Sequence, residues 1–579
     1  MAYSLHRRLH LLLLALILPS SFTLAQAASP VDPAATEKYI HASWDELSRS
    51  VTDCHSLADS KVTTRPVVYL PADIPAPSAM QQLSKDCAVE IRTLPRRIEK
   101  IGDLMPAELA KAPGLLYLPN KYIVPGGRFN EMYGWDSYFI LLGLVADQHI
   151  DLARGIVENF WFEIEHYGGV LNANRTYYLT RSQPPFLTSM IRAVYEAPSS
   201  FPDAAAHRAW LEHGYTAAQK DYETWLRPEH RAGATGLARY FDYGSGPVPE
   251  MADDSTYYAD VIRWLIAHPQ QNTGFLIKGS AHPDAAEAAR LKTTSCDVTA
   301  SEVCLHAEAD GYRLSKDFYL GDRAMRESGF DTSFRFGAFS GATHHYAPVC
   351  LNSLLFRYER DMAHFAHLLG KVQDAHLWEE RAKHRATAIN RYLWQPRTGT
   401  FSDYDFTRAR TSTYAYVSSF YPLWAGVATR EQATQIEATL KTFERPGGLS
   451  QSDTNSGMQW DEPYGWAPCN WIAISGLAAY QFHDDAHRLA AAFRNSIDRG
   501  FATDGTIREK YNVVTANANV QVTTGYKTNV IGFGWTNAVY LKLGDFLNQP
   551  PPSASPAPHA TSPFPSAQQT DPQNQSTPH

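Results

Sequence analysis

The strongest constraint on the fold of this chain is a repeated amphipathic helical pattern. Leu351, Leu354, Leu355, Tyr358, Met362, Phe365 and Leu369 fall on one stripe at helical spacing, and Gly370 ends the run. Asp374 then caps a second amphipathic stretch reaching Trp394, so the two segments read as a helical hairpin. Similar patterns recur near 137–147, 151–166, 187–196, 205–226, 255–268, 282–291, 430–443, 470–481, 484–498 and 535–547. About twelve helices in consecutive hairpins, with short strands at most, predict an all-α toroid. No βαβ alternation runs through the chain and no Gly-rich loop follows a strand, which excludes Rossmann and P-loop folds. The absence of Gly-x-Ser-x-Gly argues against a serine hydrolase.

Composition narrows the class further. With 44% apolar, 12% aromatic and 19% charged residues over 579 positions, the chain is neither disordered, fibrous, a small disulfide scaffold nor a polytopic membrane protein. A net charge of −8 and no long basic cluster argue against nucleic acid as the main partner. Arg7 and Arg8, the apolar run from Leu11 to Leu18 and Ala25-Gln26-Ala27 have the pattern of a cleaved signal peptide over residues 1–27. The expectation is therefore export, to the periplasm or the medium with the periplasm favoured, and no membrane anchor after cleavage. Residues 28–548 are expected to form one catalytic domain, with a mixed, irregular stretch to about residue 120. Residues 549–579, rich in Pro, Ser and Gln, read as a disordered tail.

Six cysteines allow 15 pairings, among which Cys54–Cys87 and Cys296–Cys304 are preferred because each couple is close in sequence and lies in polar surroundings. Cys350 and Cys469 sit in apolar helical patterns and read as buried thiols. There is no Cys-x-x-Cys or His-Glu-x-x-His spacing, and a metal is not indicated.

Chemistry concentrates between the helices. Four segments mix Arg, carboxylate, amide and aromatic residues densely: Pro125-Gly-Gly-Arg-Phe-Asn-Glu-Met-Tyr-Gly-Trp-Asp-Ser-Tyr138, Asn172-Ala-Asn-Arg-Thr-Tyr-Tyr-Leu-Thr-Arg-Ser-Gln-Pro-Pro185, Arg326-Glu-Ser-Gly-Phe-Asp-Thr-Ser-Phe-Arg335 and Gln459-Trp-Asp-Glu-Pro-Tyr-Gly-Trp-Ala-Pro468. A sugar pocket needs this mixture, because aromatic faces cover the CH faces of a pyranose while charged and amide groups satisfy its hydroxyls. A single Trp-Asp pair at a helix start is equally a buried ring and an N-cap; four such segments together favour a binding site.

The first and last of these segments resemble the two signatures of the trehalase family of inverting glycosidases, and the resemblance extends from Asp59-Ser60-Lys61 to Gly532-Phe-Gly-Trp-Thr-Asn537. It implies an (α/α)6 barrel with its site at one end, α,α-trehalose as substrate, and no cofactor. By motif, Asp331 corresponds to the general acid and Glu509 to the general base. Arg128, Trp135, Asp136, Asn172, Arg181, Ser182, Gln183, Glu250 and Gly329 correspond to pocket residues. An inverting pair needs one protonated carboxyl for the leaving oxygen and one ionised carboxylate for the attacking water.

The resemblance breaks at three places. Val248-Pro249-Glu250 stands where the family has Arg-Pro-Glu. Tyr464 replaces an Asn, and Cys469-Asn470 replace Leu-Gln. A glycine-rich flap ending in Glu-Tyr is replaced by Ala516-Asn-Ala-Asn-Val-Gln-Val-Thr-Thr-Gly-Tyr526. Two alternatives follow: a glycosidase of the same fold retuned to another α-linked disaccharide or oligosaccharide, and a non-catalytic sugar-binding relative.

Overall fold

The structure, a computed structural model, describes residues 32–57, 65–109, 113–198, 201–279, 303 and 306–549. The signal-peptide and tail expectations, the helix expected at 282–291 and the Cys296–Cys304 pairing lie outside the described residues.

Six helices pack side by side into a closed inner ring: Gly134–Ala146, Leu187–Tyr195, Val349–Leu368, Tyr421–Ala425, Ala467–Ala479 and Gly534–Asn548, the last returning to the first. Outside them run Ile150–His166, Ala204–Leu226, Val372–Tyr392, Arg430–Glu437, His483–Asp504 and Pro33–Leu47. This is the (α/α)6 barrel. The two rings differ in the way burial dictates. Gly134–Ala146 is buried on nearly every side, from Trp135 to Leu144, whereas His483–Asp504 buries one stripe of Ala486, Leu489, Ala490, Phe493 and Ile497.

Most boundaries lie within a few residues of the expected ones. Gly370 at φ +72° closes the helix Val349–Leu368, and Gly505 at φ +69° closes His483–Asp504, conformations that cost glycine little. Asp374 lies inside the first turn of Val372–Tyr392 rather than at its cap; its Oδ2 accepts a hydrogen bond from Tyr215 Oη at 3.1 Å. The pattern at 430–443 is two short helices, Arg430–Glu437 and Leu440–Phe443.

The N-terminal region is more regular than its composition suggested. Helix Pro33–Leu47 completes the outer ring, and Val67–Leu70 pairs in parallel with Glu90–Thr93 and Leu115–Leu116. Cys54 and Cys87 form a disulfide there, while Cys350 and Cys469 are buried thiols.

Because each hairpin brings the chain back before the next inner helix starts, the six inner helices run the same way and their N-termini share one rim. The four polar segments and the stretch 509–533 each lead into an inner helix or lie just before it. The helices Tyr257–Ala267 and Lys316–Glu327, with the sheet of Leu276–Lys278, Tyr312–Leu314 and Glu308–Ala309, are inserted before Val349–Leu368. Among the described residues no helix is long and apolar enough to cross a membrane.

Candidate active site

The floor of the rim is aromatic. Trp135, at the start of Gly134–Ala146, packs edge-on against Phe139, Phe330 and Trp535 and lies 5.8 Å from Trp460. Trp460 stacks flat on Trp466, with 3.8 Å between centroids and 5° between planes. Gly329 has φ +75°, and a Cβ there would lie 2.8 Å from the Trp135 ring, so this position admits only glycine without moving the indole. Gln183 fixes the same helix start, its Oε1 accepting from Trp135 N at 2.9 Å.

The walls are charged groups locked by one another. Arg181 is buried, hydrogen-bonds Glu250 through Nη2, reaches Asp242 at 3.4 Å through Nη1, and lies over the Tyr178 ring at 4.9 Å. Asp242 also accepts from Arg323 Nη1 at 3.1 Å. Arg323 donates to the carbonyls of Ser245, Gly246 and Pro247 at 2.8–3.0 Å and so fixes the loop that carries Glu250. Ser182 N donates to Glu327 Oε1 at 3.1 Å and Asn172 Nδ2 to Arg326 O at 3.5 Å, tying the second polar segment to the third. Arg128 is exposed on the rim loop, 4.8 Å over the Phe129 ring.

Asp331 follows directly from this cradle. Arg326, held by Asp322 at 3.2 and 3.3 Å, places Nη1 3.8 Å from Asp331 Oδ2. Gln459 Nε2 donates to the Asp331 backbone carbonyl. Burial pushes the Asp331 carboxyl up to about 7, against the opposing pull of Arg326 and Arg181 and with a push from Glu250. Asp136 is raised well above the carboxylate range, chiefly by burial and then by the charges of Glu509 and Asp331. The Asp136 carboxyl therefore lies within electrostatic reach of both Glu509 and Asp331.

Glu509 immediately precedes the short strand Lys510–Asn512, which pairs antiparallel with Tyr464–Trp466. Lys510 is fully buried, and its Nζ donates to Glu509 Oε2 at 2.7 Å. Arg508 pairs with Asp504. The Glu509 carbonyl accepts from Trp535 Nε1 at 3.2 Å, joining the carboxylate's backbone to the aromatic floor.

The altered flap packs beside Arg326 and Asp331. Tyr526 Oη accepts from Arg326 Nη1 at 3.0 Å, and a Cβ on Gly525 would lie 3.4 Å from Thr332 Oγ1. Tyr464, the replacement for Asn, donates its hydroxyl to Gln521 O at 2.5 Å and accepts from Gln521 N at 3.0 Å. Val248 is buried among Met251, Tyr257 and Tyr258, so the position of the family's Arg is apolar here.

Sequence reading brought Trp135, Asp136, Asn172, Arg181, Ser182, Gln183, Glu250, Gly329, Asp331 and Glu509 to this rim, with Arg128 at its edge. It missed Asp242, Asp322, Arg323, Glu327, Asp461 and Tyr526 as supporting groups. Asp461 is buried, accepts from Phe334 N at 2.8 Å and is pushed up to about 7 by burial. Its place inside Gln459–Pro468 was the available signal; Asp242 lies in no motif.

Comparison with known proteins agrees with this geometry. A family model described as Trehalase matches residues 36–548. A probable trehalase of Eremothecium gossypii is 34% identical over 89% of this chain and 72% of its own length. A cytosolic neutral trehalase of Beauveria bassiana is 33% identical over 86% of this chain and 71% of its own. The solved neutral trehalase Nth1 from Saccharomyces cerevisiae superposes with a TM-score of 0.72 and 31% identity, covering 89% of this chain and 94% of that one. These relatives correct one expectation: several are named cytosolic, which points to the cytoplasm and overturns the expected periplasmic or secreted location. The expectation rested on the polarity pattern of a short terminal segment, whereas the likeness to cytosolic proteins extends over most of the chain. On the family match and on relatives above 30% identity over most of its length, the chain belongs to the trehalase family of glycoside hydrolases.

Proposed function

We propose that the chain hydrolyses α,α-trehalose to two glucose molecules by direct attack of water with inversion. Asp331 donates a proton to the glycosidic oxygen, and Glu509 takes one from the water that attacks the anomeric carbon from the opposite face. The observation that carries this reading is the contrast between the carboxyls. Asp331 is held protonated to about pH 7 by burial, while Glu509 is ion-paired with the buried Lys510. Two carboxyls in unlike surroundings are what acid and base roles at one pH require. The names of the relatives, all trehalases, support trehalose as the substrate. Around the sugar, Trp135 covers an apolar face, Asp136 and Glu250 accept from hydroxyls, and Arg128 and Arg181 donate. Asn172, Ser182, Gln183 and Gly329 shape the cradle.

Asp331→Asn and Glu509→Gln test the assignment. Each is expected to lower kcat by about 10²–10⁴-fold or more with an unchanged circular dichroism spectrum. Near wild-type turnover by either folded variant overturns the role given to that residue. The buried Val248 favours one second reading, a pocket retuned to another α-linked disaccharide. Rapid cleavage of trehalose with negligible rates on other disaccharides eliminates it.

A further inference from the structure

Away from the sugar cradle, three ionisable side chains from two elements converge on one point. Asp317 lies in the first turn of Lys316–Glu327, a helix capped by Ser315, whose Oγ accepts from Phe318 N at 3.2 Å. His344 and His345 end the turn Thr343–His345. Nε2 of His344 lies 3.0 Å and Nε2 of His345 3.3 Å from the same oxygen, Asp317 Oδ1. One donor atom from each of the three lies within 4.8 Å of the others. The two imidazoles pack together with centroids 3.9 Å apart, and the Nδ1 atom of each is buried without a hydrogen-bond partner. Both rings therefore direct their Nε2 to a shared point rather than to separate acceptors.

The backbone beneath them is fixed. Arg239 Nη1 donates to His344 O at 2.8 Å, Phe406 N donates to His345 O at 3.1 Å, and Thr343 Oγ1 donates to Ser340 O at 2.6 Å. His344 is buried, His345 half-buried and Asp317 exposed, so one side of the group is a wall and the other is open to solvent.

We infer that Asp317, His344 and His345 form a binding site for a divalent first-row transition metal of the zinc type. Two imidazoles and one carboxylate are a donor set for zinc, nickel or copper, whereas calcium and magnesium take oxygen ligands. In a tetrahedral site with bonds of about 2.0–2.1 Å, neighbouring donor atoms lie about 3.3 Å apart, and the two measured nitrogen–oxygen spacings are close to that edge. The open side leaves room for a water as fourth ligand and for entry of the ion. A bound ion joins the helix carrying Asp322, Arg323 and Arg326 to the segment leading into the inner helix Val349–Leu368. Its role is structural, and its absence leaves the sugar-binding groups in place.

The full chain, stripped with a chelator and dialysed, is titrated with Zn²⁺ by calorimetry and with Co²⁺ by visible absorption. The wild type is expected to take up one Zn²⁺ per chain at micromolar concentration and to show the intense d–d bands of four-coordinate Co²⁺. Asp317→Asn and His345→Ala, both at solvent-accessible positions, each lower Zn²⁺ affinity at least about tenfold and abolish those bands. His376→Ala, in the separate surface group where His367 and His376 pair with Glu379, leaves both unchanged. Failure of the wild type to bind Zn²⁺, binding that survives both ligand variants, or binding lost in His376→Ala overturns the site.

Discussion

Asp331 shows how one side chain acquires a chemical role from its surroundings. An exposed aspartate is ionised at neutral pH, but burial lifts this carboxyl to about 7 although two guanidiniums oppose the shift. As the acid it is active when protonated, so this value sets the alkaline limb of the profile, and kcat/KM is expected to fall about tenfold per unit above it. Glu250 contributes a negative charge that raises the Asp331 pKa. Glu250→Gln removes that charge and frees Arg181, and both effects lower the pKa, so the alkaline limb moves to lower pH. A pH–rate profile of the variant checks the sign; a limb displaced upward contradicts it. Little of this was legible in the sequence. The motif supplied the identity of Asp331 and Glu509, whereas the burial of Lys510 against Glu509 is visible only in the structure. Lys510 pairs in register with Trp466, and its Nζ donates to Glu509.

At the scale of elements, the flap illustrates how a departure from the family pattern is accommodated. The stretch 516–526 lacks the glycine run, and Tyr464 grips it by two hydrogen bonds to the backbone of Gln521 while Thr523 bonds Gly457 O. Tyr464→Phe removes the first two contacts, worth about 0.5–1.5 kcal/mol each. Hydrogen exchange at the amides of 517–526 is expected to accelerate, with KM raised several-fold and kcat changed less. Unchanged exchange and KM together contradict the anchoring role. Helices with an exposed face were readable because their stripes survive in the sequence, as in Val372–Tyr392. Lys316–Glu327 was not, because Asp322, Arg323, Arg326 and Glu327 are buried as hydrogen-bonded charges and a run of charges reads as solvent-facing. Its register is fixed by partners distant in sequence.

For the whole molecule, function depends on closing the ring, since closure alone brings segments near 135, 331 and 509 to one rim. The seam is the contact between the first and last inner helices, where a Cβ on Gly143 would lie 2.5 Å from Ala538 Cβ. Gly143→Val forces these helices apart and is expected to cost about 1–3 kcal/mol or more, seen as a lower urea midpoint with activity lost in parallel. An unchanged midpoint contradicts the seam's tightness. Ten of the twelve barrel helices were legible from periodicity, but the short inner helix Tyr421–Ala425 and the outer helix Pro33–Leu47 were not. The closure itself was not, because Gly143 and Ala538 lie at opposite ends of the catalytic chain. The most direct test of the account is proton NMR of the glucose anomers released from α,α-trehalose at early times. Inversion at one anomeric carbon predicts equal initial amounts of α- and β-glucose; α-glucose alone, or no glucose from folded protein, contradicts it.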